Sequence, residues 1–442
     1  MMMMRVLLAI ALNAALLAVL LPWLRRQWQL PGRGWRAALV VGLGGRLLLG
    51  GLKGLNLTND SAYMSFWANV LTSQLWASPA AAVQTFLGNE LHFAGKNLVF
   101  YGMSNTFFFI KLVALLNLAS LGTDWLNALY LSAFAFVGAW QAARALARCL
   151  PATPAGAGLL AFVVWPSVLV WTAGVTKESV LVGSGAWVFA LALRFIYGEV
   201  AGPQVRRPGV GAGVLLVALA ALHFEMRYFF AVSLLGVLAG LALLRLLAAL
   251  LPGLDRRRGA VLLLLPAVLL GGAWVASEVS VSFRLNKFTN QVIRVYEKMQ
   301  AFERARPPAQ RRPHLAYPDL RPTTASIGRY APAAIANALT RPWLGEAAAP
   351  AYVAAGLENA FLLALLGWAA WAVARGRAGR LPFALGVALG LHCLVLAFLL
   401  GISTPNLGSL SRYRSDLLPY LLLLLLQHDY AAAALRRLGL AG

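Results

Sequence analysis

Apolar stretches of about 17–22 residues recur along almost the whole chain, and this is the length needed to cross about 30 Å of hydrocarbon. Only 12% of the residues are charged, about half the share that is typical of a soluble protein. The sequence therefore excludes a soluble enzyme and predicts an all-α, polytopic transmembrane helix bundle with about 11–12 membrane helices. The stretches lie near 5–24, 37–55, 104–121, 125–147, 157–174, 180–198, 209–224, 228–249, 259–277, 353–374, 381–401 and 415–428.

The basic residues indicate on which side of the membrane each loop lies. The chain has 38 Lys and Arg against 15 Asp and Glu, a net charge of +23, and the Arg residues concentrate in short gaps between apolar stretches. The positive-inside rule places these gaps in the cytoplasm, so the excess charge does not indicate nucleic-acid binding. The clusters are Arg25/Arg26/Arg33/Arg36, Arg144/Arg148, Arg206/Arg207, Arg256/Arg257/Arg258, Arg375/Arg377/Arg380 and Arg436/Arg437.

This orientation leaves two long segments on the outer side of the membrane. Residues 56–103 form a first outer loop, whose aromatic and amphipathic composition predicts juxtamembrane helices along the interface. Residues 278–352 form a second large outer loop, and its polar, Arg-Pro-rich part over 278–330 is typical of an irregular loop or a mobile flap. Because no linker or repeat divides the chain, we expect a single transmembrane domain over 1–442 that ends in C-terminal helices over 353–442.

One apolar stretch conflicts with this orientation. The stretch 104–121 is one of two between the first outer loop and the next inner arginine cluster, where the orientation permits only one crossing. It contains Lys111 and Asn117, which are costly at membrane depth. We therefore expect 104–121 to be re-entrant or to lie at the outer interface.

Ionisable residues near the membrane collect on the outer side. Charge at membrane depth is costly and marks a functional hypothesis by default. Arg and Lys side chains that converge suit a phosphate or pyrophosphate, because guanidinium binds phosphate oxygens in a bidentate fork. A carboxylate among them can act as general base toward a hydroxyl group. The candidates are Asp60, Lys177, Glu178, Glu225, Arg227, Arg341, Glu346, Arg412 and Arg414.

These residues also have structural interpretations. Asp60 can cap an interfacial helix, and Lys177 and Glu178 can form an ion pair at a helix end. Arg412 and Arg414 can extend to lipid headgroups. No His, Cys or paired-Asp spacing predicts a dedicated metal site, although one carboxylate together with substrate phosphates can hold Mg²⁺ or Mn²⁺.

The layout resembles the GT-C superfamily of polytopic glycosyltransferases, which use polyprenyl-phosphate-linked sugars. Asp60-Ser-Ala-Tyr63 follows an early span, where that family has its catalytic acidic residue. The stretch Pro166–Glu178 is similar to the family's Pro-containing span that ends at the outer face in a polar pair. The resemblance covers residues 35–250, which we expect to form a GT-C-like core module with juxtamembrane helices on the outer face.

The resemblance and the charged residues together predict an integral membrane glycosyltransferase in a bacterial inner membrane, with its active face periplasmic. It would move a sugar from a polyprenyl-phosphate donor to a lipid-linked glycan or a similar acceptor, with membrane lipids but no nucleic acid as partners. A divalent cation, Mg²⁺ or Mn²⁺, is the one cofactor considered. Asp60 is the expected catalytic base. The expected substrate-binding residues are Tyr63, Lys177, Glu178, Glu225, Arg227, Arg341, Glu346, Arg412 and Arg414.

Other functions fit the same pattern. In an O-antigen-type polymerase or ligase, arginines of the outer loops would hold two pyrophosphates, and Asp60 would matter less than Arg284, Arg294, Arg304 and Arg341. A polytopic transporter or flippase would place its substrate groups near the membrane midplane, often between two related halves. The crowding of charge toward one face disfavours transport, and an assembly scaffold is a further alternative.

Overall fold

The computed structural model describes residues 2–30, 32–201, 204–307 and 311–440. These residues form a bundle of helices, so the expected all-α class is confirmed. Helices suit such apolar stretches because each helix satisfies its own backbone hydrogen bonds. The helices are α1 (Met2–Trp28), α2 (Arg33–Leu39), α3 (Gly45–Leu55), α4 (Asn59–Ala77), α5 (Pro79–Leu87), α6 (Asn105–Ser120), α7 (Asp124–Cys149), α8 (Ala155–Gly158), α9 (Pro166–Trp171), α10 (Lys177–Tyr197), α11 (Val210–Met226), α12 (Tyr228–Leu250), α13 (Arg258–Val279), α14 (Leu285–Arg304), α15 (Thr324–Thr340), α16 (Pro350–Ala374), α17 (Phe383–Ser403), α18 (Leu407–Tyr413), α19 (Leu418–Leu425) and α20 (Asp429–Arg437).

Short β-hairpins connect some of the helices. The antiparallel strands are β1 (Glu90–Phe93) with β2 (Lys96–Val99), and β3 (Glu199–Ala201) with β4 (Gln204–Arg206). The first hairpin lies in the predicted outer loop 56–103, where only helices are expected. Ala94 and Gly95, at φ 51° and 74°, form its turn, and such left-handed pairs are typical of two-residue hairpins.

Eight helices in the described ranges are long and apolar enough to cross a membrane, or nine if the bent pair α19 and α20 counts as one span. The chain is therefore a multi-pass membrane protein by length and composition, with fewer full-length spans than the expected 11–12. The difference arises because α6, α11 and the helix over Ala155–Val164 are apolar but only 10–17 residues long.

Two of the apolar stretches contain π-helical turns. Val40–Gly44 is π-helical between α2 and α3, and Leu159–Val164 is π-helical after α8. Trp165 then adopts an extended ψ of 130° and Pro166 begins α9, because a residue before proline avoids the helical conformation. The predicted stretch 157–174 is thus a broken helix.

Arg46 on α3 joins these two π-helical turns and is fully buried. Its Nη1 donates to the carbonyl oxygens of Gly42 at 3.2 Å and Val163 at 2.6 Å. Its Nη2 donates to the carbonyl of Phe162 at 3.0 Å, and its Nε donates to Thr172 Oγ1 at 3.0 Å. Because π-helical turns leave backbone groups without their usual partners, Arg46 satisfies them and fixes α3 against the segment that leads to α10.

The helix α10 separates two sets of charges. At its end, Arg194 pairs with Glu199 at 2.7 Å, and Arg148 at the end of α7 approaches the same carboxylate at 3.6 Å. Lys177 begins α10, about 30 Å away for a helix of 21 residues. The predicted inner cluster that contains Arg148 and the candidate site therefore lie at opposite ends of the bundle.

The helix α6 covers most of the predicted stretch 104–121, beginning beside Lys177 and ending beside α4. Asn105 begins α6 and accepts a hydrogen bond from Lys177 Nζ at 3.0 Å. Just after α6, Asp124 accepts a hydrogen bond from Ser65, which lies near the start of α4. As one unbroken helix of 16 residues, α6 is about 24 Å long, so the expectation that 104–121 is re-entrant or lies at the outer interface stays a prediction.

The expectation of an irregular loop over 278–330 is wrong for the two helical parts, whereas the described residues between them, 305–307 and 311–323, are irregular. The segment contains the 20-residue helix α14, and α15 begins at Thr324. Phe288, Val292 and Tyr296 recur every fourth residue, which gives α14 one apolar face. Val292 and Tyr296 are buried, so α14 is packed against the bundle.

Candidate active site

The chain brings Lys177 and Glu178 to the N-terminus of α10. Thr176 caps this helix, because its Oγ1 accepts a hydrogen bond from the Ser179 amide at 3.3 Å. Lys177 Nζ donates to Asn105 Oδ1 and, at 2.6 Å, to Thr106 Oγ1, both on α6. Glu178 pairs with Arg227 and Arg412. The structure therefore does not contain the alternative ion pair between Lys177 and Glu178.

Glu178 lies at the centre of a group of charges. Its Oε1 is 3.4 Å from Arg412 Nε and 3.9 Å from Arg227 Nη2. Arg412 Nη1 in turn lies 3.3 Å from Asp60 Oδ2, and Arg227 Nη1 lies 4.0 Å from Asp416 Oδ2. Carboxylates and guanidiniums therefore alternate from Asp60 to Asp416. We call this group the charged cluster, and its members are Asp60, Lys177, Glu178, Arg227, Arg412 and Asp416.

The charged cluster runs from solvent into the protein. The side chain of Asp60 is 71% exposed, whereas those of Glu178 and Asp416 are 2% and 7% exposed. The three carboxylates balance the three cations, a formal sum of zero. Glu178 Oε1, Arg227 Nη1 and Arg412 Nε are buried and have no hydrogen-bond partner in the described part of the chain. Buried charges that are paired but not fully hydrogen-bonded are costly, so a ligand can improve this arrangement.

Tyr413 lies between the two arginines of the cluster. The guanidinium carbon of Arg227 is 3.7 Å from its ring centroid, and that of Arg412 is 4.9 Å away. Arg412 Nη2 also donates to the Tyr413 hydroxyl at 3.1 Å. Burial disfavours the charged form of Arg412, but Glu178 and Tyr413 outweigh this effect and raise the pKa of Arg412 above its usual value. Arg412 is therefore a permanent cation.

Asp60 lies in the first turn of α4. Thr58 is the N-cap residue of this helix, so the alternative role of Asp60 as a cap does not apply. A carboxylate in the first turn is stabilised by the helix dipole, and Arg412 contacts it from α18. Asp60 is thus held at the entrance to the charged cluster with most of its side chain open to solvent.

A cavity of about 620 Å³ opens beside the charged cluster. Arg227, Tyr413 and Asn105 form part of its wall next to the charges. Such a cavity suits a molecule with an apolar body and a charged group at one end. The apolar part of the lining comes from Phe100, Phe229, Phe288, Val292, Val295 and Leu399.

Arg414 lies outside the charged cluster, although it is only two residues from Arg412. It is 5% exposed, and it donates to the Arg341 carbonyl at 2.7 Å and to Asn359 Oδ1 at 2.8 Å. Arg341 pairs with Glu346. Burial lowers the pKa of Arg414 to about 10, which leaves it charged near neutral pH. We call this group the Arg414 site, and its members are Arg341, Glu346, Asn359 and Arg414.

Two other predicted substrate-binding residues also lie apart from the cluster. Tyr63 is exposed on α4, with its ring edge-on to Trp67 at 6.4 Å. Glu225 is exposed near the end of α11 and interacts electrostatically with Lys111. Of the residues proposed from sequence, the structure brings together Asp60, Lys177, Glu178, Arg227 and Arg412.

Sequence reasoning missed Tyr413 and Asp416 as members of the site. Their signal is the run Ser411-Arg-Tyr-Arg-Ser-Asp416, in which an aromatic and an acidic residue accompany the two arginines. Among the described residues, no group of three His, Cys, Asp or Glu side chains is arranged to hold a metal ion. A divalent cation shared by Asp60 and a substrate phosphate stays a prediction.

The arrangement offers an exposed carboxylate, three cations and an adjoining cavity with an apolar wall. Such groups can support acid–base chemistry on a phosphate-bearing substrate. No protein-family model, curated protein or solved structure matches the chain. The function is therefore argued from the site itself.

Proposed function

We propose that the protein is an integral membrane glycosyltransferase. It moves a sugar from a polyprenyl-phosphate donor to a lipid-linked glycan or a similar acceptor at the periplasmic face of a bacterial inner membrane. The observation that carries this proposal is the position of Asp60, an exposed carboxylate 3.3 Å from Arg412 in the same cluster as Lys177 and Arg227. A proton acceptor thus lies beside cations of the kind that bind phosphate.

The donor phosphate binds to Arg412, Arg227 and Lys177. Arg227 and Arg412 have buried nitrogen atoms without hydrogen-bond partners among the described residues, and phosphate oxygens satisfy them in a bidentate fork. Glu178 fixes the two guanidiniums relative to each other, because its Oε1 approaches both. The prenyl chain extends along the apolar wall of the 620 Å³ cavity.

Asp60 acts as general base in a single displacement. The oxygen of the acceptor hydroxyl forms a bond to the anomeric carbon, and the bond between that carbon and the phosphate oxygen breaks. The hydroxyl proton passes to the Asp60 carboxylate, and the polyprenyl phosphate leaves with the electron pair. Arg412 and Arg227 stabilise the charge that develops on the leaving phosphate, and the configuration at the anomeric carbon is inverted.

The test is sugar transfer in nanodiscs with a panel of polyprenyl-phosphate sugars. Replacement of Asp60 by Asn lowers transfer about 100-fold or more, the usual contribution of a general base, and leaves the thermal midpoint near that of wild type. Glu225→Gln is the matched control, because Glu225 is also an exposed carboxylate at this end of the bundle; we expect it to retain transfer.

The other outcomes distinguish the rival functions. Full transfer by Asp60→Asn would remove Asp60 as the base. Joining of pyrophosphate-linked glycans that does not depend on Asp60 would instead favour a polymerase or ligase. If no lipid-linked sugar is bound or consumed by well-folded protein, the glycosyltransferase proposal fails and a transporter or scaffold replaces it.

A further inference from the structure

Asp416 forms the buried end of the charged cluster. Neither of its carboxylate oxygens accepts a hydrogen bond within the described ranges, although buried carboxylates usually accept several. Its nearest cation is Arg227, at 4.0 Å. The charge of Asp416 is therefore stabilised mainly by one guanidinium that it shares with Glu178.

A second, much smaller cavity lies beyond Asp416, inside the bundle. Its volume is about 20 Å³, enough for about one water molecule. Asp416, His392, His223 and Tyr420 line it. His392 Nδ1 is engaged by Ser233 Oγ at 2.8 Å, whereas its Nε2 is buried without a partner among the residues described. The Asp416 carboxylate and His392 Nε2 are thus two unsatisfied polar groups at one cavity.

Arg227 connects this buried pair to the proposed phosphate site. The same guanidinium approaches Asp416 and Glu178 and forms part of the wall of the 620 Å³ cavity. An anion that binds Arg227 competes with both carboxylates for it. Asp416 has the fewest alternative partners, because Glu178 also contacts Arg412. Asp416 is therefore the carboxylate that such an anion leaves uncompensated.

We propose that Asp416 is a proton-binding site coupled to the phosphate site. When the donor phosphate takes Arg227, Asp416 binds one proton from bulk solvent and becomes a neutral carboxylic acid. Its new O–H group donates to a water molecule in the 20 Å³ cavity, which in turn donates to His392 Nε2. The inference rests on the proposed function, because it takes a phosphate-bearing lipid as the anion that occupies Arg227.

The direction of the pH dependence follows from the groups that face Asp416. Burial raises the pKa of its carboxyl group well above the usual value, Arg227 lowers it, and Glu178 raises it. A ligand that takes Arg227 removes the one lowering interaction, so the pKa rises further. At pH values between the pKa of Asp416 in the free protein and its pKa in the ligand-bound protein, binding is accompanied by uptake of a proton. The affinity for the ligand therefore falls as pH rises through that interval. The remaining titratable neighbours are His223, His392 and Tyr420.

The experiment is calorimetric titration of the detergent-solubilised full-length protein with farnesyl-phosphoglucose. This probe is a phosphodiester, so its own charge does not change near neutral pH. Titrations in two buffers of different ionisation enthalpy, at several values between about pH 5 and 8, give the number of protons bound. We expect wild type to take up close to one proton at its maximum, where its affinity for the probe falls about tenfold per pH unit. Outside the interval between the two pKa values, we expect neither proton uptake nor a change of affinity with pH.

Two variants separate Asp416 from the rest of the cluster. Asp416→Asn removes the titrating group, and its affinity becomes independent of pH with no proton uptake. Asp60→Asn removes the exposed carboxylate and keeps the proton uptake of wild type. Equal uptake by wild type and a folded Asp416→Asn would overturn the inference.

The wild-type curve alone keeps the proposal falsifiable if Asp416→Asn does not fold. Tight binding that is independent of pH and takes up no proton would overturn the coupling and leave the proposed function intact. Failure of well-folded wild type to bind farnesyl-phosphoglucose and every longer-chain analogue would overturn both.

Discussion

Arg412 and Arg414 are two residues apart, yet they belong to two regions with different physical character. Arg414 is buried and donates to a carbonyl and an amide oxygen at 2.7 and 2.8 Å. Arg412 contacts carboxylates at 3.3 and 3.4 Å and has a buried nitrogen without a hydrogen-bond partner in the described ranges. Within the described ranges, the Arg414 site leaves only the Nε atoms of Arg341 and Arg414 buried without a partner. The charged cluster leaves five such atoms, which belong to both of its arginines and to Glu178 and Asp416.

Arg46, in the candidate span Arg33–Leu55, is another buried arginine that is hydrogen-bonded by the protein itself. All three of its nitrogen atoms donate at 3.2 Å or less. A buried arginine whose three nitrogen atoms all donate to protein oxygen atoms stabilises the fold and has little left to offer a ligand. Unpartnered carboxylate and guanidinium atoms beside the 620 Å³ cavity, rather than charge alone, thus mark the charged cluster as the candidate site.

The largest expected effect is the loss of stability on replacing Arg46 with Met. The substitution leaves the carbonyls of Val163 and Phe162 without their donors, at about 1–3 kcal/mol for each buried group. Thermal unfolding in detergent, followed by tryptophan fluorescence, measures it. An unchanged midpoint would contradict the assignment of Arg46 as a structural residue.

The next largest effect separates the two neighbouring arginines. Arg414→Gln lowers the free energy of unfolding by about 2–3 kcal/mol, because the Arg341 carbonyl and Asn359 lose a charged donor. Arg412→Gln is the matched substitution, and it lowers the free energy of unfolding less, because Asp60 is exposed and Glu178 keeps Arg227 as a partner. Equal destabilisation by the two variants, measured by the same unfolding assay, would remove the contrast between the two regions.

A smaller effect is expected on ligand affinity from Lys177→Met. Loss of one cation from the phosphate site weakens binding of farnesyl-phosphoglucose about tenfold, as measured by calorimetry. Lys96→Met is the control, since Lys96 lies on the hairpin strand β2, over the ring of Phe66. An equal loss of affinity in both variants would indicate a general effect of net charge rather than a contact.

The smallest effect concerns Lys287, which lines the 620 Å³ cavity from α14. Lys287→Gln slows association of an anionic lipid about two- to threefold at low ionic strength, and the difference disappears in high salt. Stopped-flow binding at two salt concentrations measures this. A decrease in the association rate that is the same at both salt concentrations would indicate a direct contact between Lys287 and the ligand instead of electrostatic attraction.

The sequence predicted the helical architecture well because apolar length alone determines it. Each predicted stretch from 5–24 to 415–428 contains helix in the structure, although 157–174 is broken at Trp165 and 415–428 is α-helical only over Leu418–Leu425. The same rule missed Arg46, since one arginine does not change the hydropathy of a long stretch. The helix α14 was also missed, although the fourfold spacing of Phe288, Val292 and Tyr296 indicates an amphipathic helix.

The site was predictable only in part. Lys177-Glu178 in a short turn and Asp60 after a span are unusual in an apolar chain, so composition alone singles them out. Which charges meet is a matter of tertiary packing, and no local pattern distinguishes Arg412 from Arg414. Asp416 was passed over as a site residue for the same reason, because its importance comes from its position between Arg227 and the small cavity.

The central claim is that the charged cluster binds a lipid-linked phosphate and that the Arg414 site does not. The most direct test is the affinity of Arg412→Gln and Arg414→Gln for farnesyl-phosphoglucose, measured by calorimetry below the melting temperature of both. We predict a loss of tenfold or more for Arg412→Gln and a change of less than about threefold for Arg414→Gln. Wild-type affinity in Arg412→Gln, or an equal loss in both, would contradict the account.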